Sequence, residues 1–190
     1  SLLERIAKTP ERTRDAMLKK IEASLKAGGP NMRELKCSRD DATGTPHLEA
    51  RYEHWRPDAG WQREDQFSDG TLRLLGIMWR LLDGDSLLLL EEPELSLNES
   101  IVRQIPPLLW QMQRKAKHRR QVFVTTHSEA LLEHSSVDPR DVLRLEPSPE
   151  GTRVALATAQ EIALVEAGYN VAEAMVRKAP QGQLDQLSIF

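Results

Sequence analysis

Residues 87–93 read Leu87-Leu88-Leu89-Leu90-Glu91-Glu92-Pro93, and the fold class turns on them. The run of leucines has buried-strand length, and with Ser86 it predicts a continuous apolar strand over 86–90, as in a parallel sheet covered on both faces. Two carboxylates follow at its C-terminal end. In open α/β sheets that end is where ligands bind. Glu91 suits Mg2+, or a water bound to it, because magnesium prefers hard oxygen ligands. Glu92 suits polarising a water for attack on a phosphoryl group. A strand ending in a solvated acidic turn would use the same residues, so this stretch alone leaves two readings open.

Just upstream, Phe67-Ser68-Asp69-Gly70-Thr71 opens an apolar helix predicted over 71–82. A small residue and a glycine at a helix N-terminus expose backbone N–H groups to an anion. A plain capped start, with Ser68 or Asp69 as the cap, is the competing account. Downstream, QVFVT over 121–125 predicts a second buried strand, followed by Thr126-His127-Ser128. This sets a histidine at the C-terminal end of a neighbouring strand, where an imidazole can contact a terminal phosphate and its attacking water. A lone histidine is more often structural. Between the strands, Glu94-Leu95-Ser96-Leu97-Asn98 forms a turn into a helix over 99–117, with Asn98 as its cap and an interruption near Pro106-Pro107.

The flanks complete an alternating pattern. Thr9-Pro10-Glu11 starts a helix whose apolar face carries Leu18, Ile21 and Leu25, and Gly28-Gly29-Pro30 ends it. Residues 32–38 and 47–55 predict two strands around a turn at Asp40 to Pro46, followed by a polar loop over 56–66. Ser128 to Glu133 start another helix. Residues 141–146 and 152–158 predict a closing hairpin that turns over Pro147 to Gly151, and 159–178 a last helix before a Pro/Gln/Gly tail. No internal repeat is visible. The expected fold is a layered α/β domain with flanking helices and a small antiparallel hairpin.

With 190 residues the chain can bury a real core, and 39% hydrophobic with 29% charged residues suits a globular domain. A net charge of −3 excludes a protein that traps nucleic acid by overall charge; such contact would need a local patch. Cys37 is the single cysteine, so no disulfide can form within the chain, and no Cys/His spacing around it suits zinc. It reads as a half-buried strand residue. No apolar run has membrane-spanning length and no stretch reads as a signal peptide, so the expectation is a cytoplasmic location with no membrane partner.

Taken together, the order and spacing of four elements resemble a known pattern. FSDGT resembles the ABC signature motif, LLLLEEP the Walker B strand with its catalytic glutamate, ELSLN the D-loop and TTHS the switch-histidine loop. The chain resembles the C-terminal lobe of an ABC-type ATPase with a P-loop NTPase fold. The wording around FSDGT and EEPE is similar to SMC, RecF and OLD-like predicted bacterial AAA family ATPases rather than to membrane transporters. The likeness is close over about residues 65–130 and looser outside them. It divides the chain into 1–30, the end of an insertion; 31–158, the ATPase lobe; and 159–190, a C-terminal helix and tail.

The resemblance implies ATP and Mg2+ as ligands, with Glu92 as general base, Glu91 at the metal and His127 sensing the γ-phosphate. It also implies a homodimer that sandwiches ATP, in which Ser68, Asp69, Gly70, Thr71 and Asn98 line the nucleotide held by the other protomer. Three positions depart from the usual pattern. Glu91 stands where aspartate is usual, Asn98 where transporters carry the D-loop aspartate, and Asp69 where they carry the second signature glycine. No G-x-x-x-x-G-K-[ST] occurs, so the backbone cradle and lysine for phosphate are absent from these residues. The chain begins at Ser1, and the expectation is that a lobe carrying the P-loop precedes it in the native protein. Without that lobe the chain should bind ATP poorly and not turn it over. A naturally split or degenerate ATPase is the rival.

Two further stretches carry two readings each. Arg114-Lys115-Ala116-Lys117-His118-Arg119-Arg120 is either a solvated helix end that complements the helix dipole or a contact for DNA phosphates. Gln186-Leu187-Ser188-Ile189-Phe190 resembles the C-terminal peptide by which bacterial replication and repair proteins dock on the DNA sliding clamp. The same apolar anchors could instead pack on the chain itself. The functional expectation is an ATPase coupling ATP-dependent dimerisation to DNA repair, maintenance or defence. The alternative is a catalytically inactive scaffold that docks on a partner such as the clamp.

Overall fold

The computed structural model describes residues 2–25, 32–52, 60–115 and 120–176, with backbone only at Lys115. It divides into two compact units, Ser1–His127 and Ser128–Phe190. The helix end at Gly28-Gly29-Pro30, most of the basic run and the peptide Gln186 to Phe190 lie outside the described residues.

In the first unit, α1 (Leu2–Lys8) and α2 (Glu11–Leu25) precede an antiparallel sheet of β1 (Met32–Arg39), β2 (Pro46–Tyr52) and β3 (Gln62–Arg63). The turn between β1 and β2 is built by Asp40, whose Oδ1 accepts from the N–H groups of Ala42 and Thr43, both at 3.0 Å. These bonds to its ionised form hold the carboxyl below its ordinary range. Of the loop expected over 56–66, the described residues 60–66 are more ordered than their polarity indicated. β3 extends the sheet, and a 3-10 turn over Glu64–Gln66 sends the Glu64 carboxylate to the Leu48 N–H and to His47 Nδ1, each at 2.9 Å. Tertiary partners on β2, invisible to local composition, cause that order. Cys37 is half-buried on β1, as expected.

The parallel part is small. β4 (Leu88–Glu91) pairs with β5 (Val122–Thr125), bringing Glu91 opposite Thr125. The expectation of two covered faces fails here. Leu88 is buried, but Leu87 is 53% exposed, Leu89 69% and Phe123 43%. Side chains alternate across a strand, so one face of the pair meets the helices while the other is open among the described residues.

The helix α3 (Asp69–Leu82) covers the inner face. Ser68 caps it, its Oγ accepting from the Thr71 N–H at 3.2 Å. The cap therefore falls at the first of the two residues expected. Leu74, Leu75, Met78, Trp79 and Leu81 are all at most 2% exposed and share a core with Ile6, Ile21 and Leu25. The helical segment at the start thus packs into the same core as α3.

The helix expected over 99–117 is two helices, α4 (Glu99–Val102) and α5 (Ile105–Lys115). The break falls before the prolines, not at them. Pro106 and Pro107 occupy the first turn of α5, where a missing N–H leaves no helical bond unmade.

In the second unit, α6 (Glu129–Leu132) is one turn long. β6 (Arg144–Ser148) and β7 (Gly151–Ala155) form a hairpin with Ser148 paired to Gly151. The turn is therefore tighter than expected, and Pro147 lies inside β6 opposite Thr152. The helix expected over 159–178 stops as α7 (Ala159–Glu166), and Gly168 at φ 104° reverses the chain before a π-helical turn over Ala172–Val176. Thr158 and Glu161 form a capping box on α7, and Glu161 also pairs with Arg144 at 2.8 Å.

Gly70 sits where the start of α3 meets the turn after β4. A Cβ there would lie 2.7 Å from the Ser96 carbonyl oxygen and 2.9 Å from Leu97 Cδ2. Ser96 itself is at φ 65°, so the opposing backbone has little freedom to retreat.

Two stability predictions follow from this packing. Gly70→Ala is expected to destabilise the protein by about 1–3 kcal/mol, because overpacking against fixed backbone outweighs the helical preference of alanine. Trp79→Ala, at a fully buried position, is expected to cost about 3–5 kcal/mol. Urea unfolding followed by circular dichroism measures both. An unchanged midpoint for Gly70→Ala would mean that the turn at Ser96 gives way freely.

Candidate functional site

The sequence-derived site residues gather in two places within the first unit. The first is the C-terminal end of the β4–β5 pair. Glu91 ends β4 as an exposed carboxylate on the same face as Leu89, by strand parity. Glu92 follows with φ 40°, a left-handed conformation rare outside glycine and costing about 1–3 kcal/mol. Several bonds hold it there. Its N–H donates to the Thr125 carbonyl at 3.0 Å, which continues the parallel ladder. Its own carbonyl accepts from the Leu95 N–H at 3.1 Å and from Arg73 Nη1 at 3.0 Å. The reversed backbone turns the Glu92 side chain toward the end of β5, where its Oε1 stands 3.3 Å from His127 Nε2. The imidazole is 90% exposed and the Glu92 side chain 33%, so the pair opens to solvent with room for a ligand.

Glu94 closes the back of this end. Its Oε1 accepts from the hydroxyl of Thr126 and from the His127 N–H, the latter at 3.3 Å. Its Oε2 is buried with no hydrogen-bond partner among the described residues.

The second place is the groove between the start of α3 and the turn into α4, lined by Ser68, Gly70, Thr71, Ser96, Leu97 and Asn98. Asn98 caps α4, its Oδ1 accepting from the Ile101 N–H at 3.0 Å. Asp69 is exposed on the first turn of α3. Thr71 also bonds to the Tyr52 hydroxyl on β2; burial pushes that phenol up, and the bond to Thr71 pulls against it. Tyr52 in turn meets Phe67 edge-on, with ring centroids 6.0 Å apart. The antiparallel sheet therefore braces the residues that open α3.

Arg73 links the two places. It sits one turn along α3 from Gly70 and reaches the Glu92 carbonyl. Neither this role nor that of Glu94 was read from the sequence. Arg73 interrupts the apolar pattern of 71–82, but that mark does not name a partner. Glu94 lies in a turn whose contacts are decided by the distant residues 126 and 127.

For magnesium, the donor set fits. Glu91 and Glu92 supply hard oxygens at an open strand end, and Mg2+ is usually held by one or two carboxylates with phosphates and waters. No cluster of three or more His, Cys, Asp or Glu that could cage a metal occurs among the described residues.

A family model described as "AAA domain, putative AbiEii toxin, Type IV TA system" matches residues 5–133. No curated protein matches the chain. Among solved structures, the chain is similar to an SMC ATPase studied for ATP-driven dimerization and DNA-stimulated activation. The identity there is 13%, the TM-score 0.58, and the likeness covers 82% of this chain and 92% of that one. It is also similar to the Smc head domain of Pyrococcus furiosus bound to the C-terminal domain of ScpA, at 12% identity and TM-score 0.57, covering 82% of this chain and 38% of that one. The SMC head domain of Thermotoga maritima follows at 14% identity and TM-score 0.53, covering 83% and 51%. The chain thus spans about two fifths to half of the latter two. At these identities the likeness shows the fold, that of the P-loop NTPase heads of SMC ATPases. The family match spans more than half of the residues, and the chain belongs to this AAA-domain family, a family that implies nucleotide binding.

Proposed function

We propose that this chain is the C-terminal lobe of an ATPase whose nucleotide site is completed by a lobe bearing a P-loop. The observation that carries the reading is the meeting of Glu92 and His127 at 3.3 Å, beside Glu91, at the C-terminal ends of adjacent parallel strands. A solvated acidic turn would need neither a left-handed Glu92 nor a histidine opposite it.

In this reading Glu91 would hold a magnesium ion or a water of its shell, and would thereby supply charge neutralisation for the phosphates of ATP. Glu92 orients a water in line with the γ-phosphorus and takes its proton as the P–O bond to the γ-phosphate forms and the bond to the leaving ADP oxygen breaks. His127, whose Nε2 stands 3.3 Å from Glu92, would donate to a γ-phosphate oxygen when nucleotide is present. Ser68, Gly70 and Thr71 offer a helix N-terminus to the ATP of a second copy, and Asn98 lines the same groove. Arg73 then connects that groove to the Glu92 backbone.

The open face of β4–β5 supports the missing lobe. Leu87, Leu89 and Phe123 present apolar surface beside the catalytic end, and parallel sheets are ordinarily covered on both faces. The likeness to an SMC ATPase described by ATP-driven dimerization and DNA-stimulated activation supports dimerisation and a DNA-linked role as the process served. Among the described residues no helix is long and apolar enough to cross a membrane.

The test is ATP turnover by the full-length protein with its P-loop lobe, compared with Glu92→Gln. The variant is expected to lose about 10²- to 10⁴-fold in kcat while still binding ATP. No turnover and no affinity at millimolar ATP in the wild type would instead favour a scaffold that keeps the ATPase fold without its chemistry.

A further inference from the structure

The buried oxygen of Glu94 sets this residue apart from its neighbours. A carboxylate with one oxygen buried and unpartnered is costly, and stability alone gives no reason to keep it. The other oxygen, Oε1, is fully engaged. It takes the hydroxyl of Thr126 and the N–H of His127, the two residues that leave β5. Glu94 also belongs to the turn that leaves β4, where its carbonyl accepts from the Leu97 N–H at 3.0 Å. One side chain therefore ties the turn after β4 to the turn after β5.

The tie bears on the site through His127. That imidazole is 90% exposed, and it faces Glu92 Oε1 at 3.3 Å. No surrounding packing fixes such a ring, so its position depends on its backbone. That backbone is held on the strand side by the last rung of the ladder, Glu92 N–H to Thr125 carbonyl, and two residues further on, at the His127 N–H, by Glu94. Removing Glu94 leaves the ladder intact and takes away the acceptor that holds the Thr126 hydroxyl and the His127 N–H.

We propose that Glu94 is a positioning residue that fixes the His127 loop against Glu92, so that imidazole and carboxylate address one phosphate and its water together. The inference rests on the ATPase reading above. Glu94 does not touch the reacting atoms; it acts through His127. A conformational requirement of this kind is worth about 10- to 100-fold in rate when a supporting side chain is removed.

The experiment uses the full-length, P-loop-bearing protein and compares wild type, Glu94→Ala, Glu94→Gln, His127→Ala and the double variant Glu94→Ala/His127→Ala. Glu94→Ala should lower kcat about 10- to 100-fold with little change in the KM for ATP. Glu94→Gln keeps a carbonyl oxygen for the same two donors and should restore most of the rate. The double variant should be no slower than His127→Ala alone, because a residue acting through His127 has nothing left to position. Backbone 15N relaxation at Thr126 and His127 reads the tie without catalysis. Order parameters there should fall from about 0.85 to below about 0.6 in Glu94→Ala. Effects that multiply in the double variant, or unchanged order parameters, would overturn the proposal. A wild type with no turnover would overturn the ATPase reading instead, while the relaxation data would still decide whether Glu94 holds the loop.

Discussion

The bond from the Glu92 N–H to the Thr125 carbonyl is the constraint from which the site follows. It is the last rung of a short parallel ladder, and it extends the pairing past the formal end of β4. Because parallel strands run the same way, both chains leave the sheet at the same edge. The residues just beyond the rung are therefore neighbours whatever the turns that follow. Glu92 then takes a left-handed turn and His127 follows Thr126 out of β5, and the two side chains meet. An antiparallel pair would have sent one of them to the opposite edge.

The strain at Glu92 is met from several directions. Arg73 comes from α3, Leu95 from the following turn and Thr125 from the neighbouring strand. The anchoring of α3 is firm because its inner face carries Leu74, Leu75, Met78 and Trp79, each at most 2% exposed. Burying such side chains contributes about 1.5–3 kcal/mol each relative to exposure. That packing energy is what allows an exposed arginine at the start of the helix to hold a strained carbonyl. The same helix start is pinned on its other side by Gly70, where the Ser96 backbone comes within what a side chain would occupy.

The parallel pair is incomplete by ordinary standards. Two strands with one apolar face open do not make a core, and the first unit compensates with the antiparallel sheet and with α1 and α2, which share the apolar cluster of α3. The exposed leucines at 87 and 89 and Phe123 are the cost of that arrangement in the chain as it stands.

Much of this was legible in the sequence because it is written in local pattern. The strand expected over 86–90 and found at Leu88–Glu91, the capped start at Ser68 and the Asn98 cap are all short-range signals, and the structure places each of them. Periodicity misled where coverage was at issue, since a run of leucines looks the same whether one face is buried or both. It also set the break in 99–117 near the prolines rather than at 103–104, and ran a helix through 167–168, where a glycine at φ 104° ends it. By itself, then, the sequence determined which chemical groups exist and which element carries each. Only the tertiary structure decided that Glu94 ties down His127 and that Arg73 reaches Glu92, because these contacts join residues 33 and 19 positions apart, and no local pattern encodes a partner at that distance.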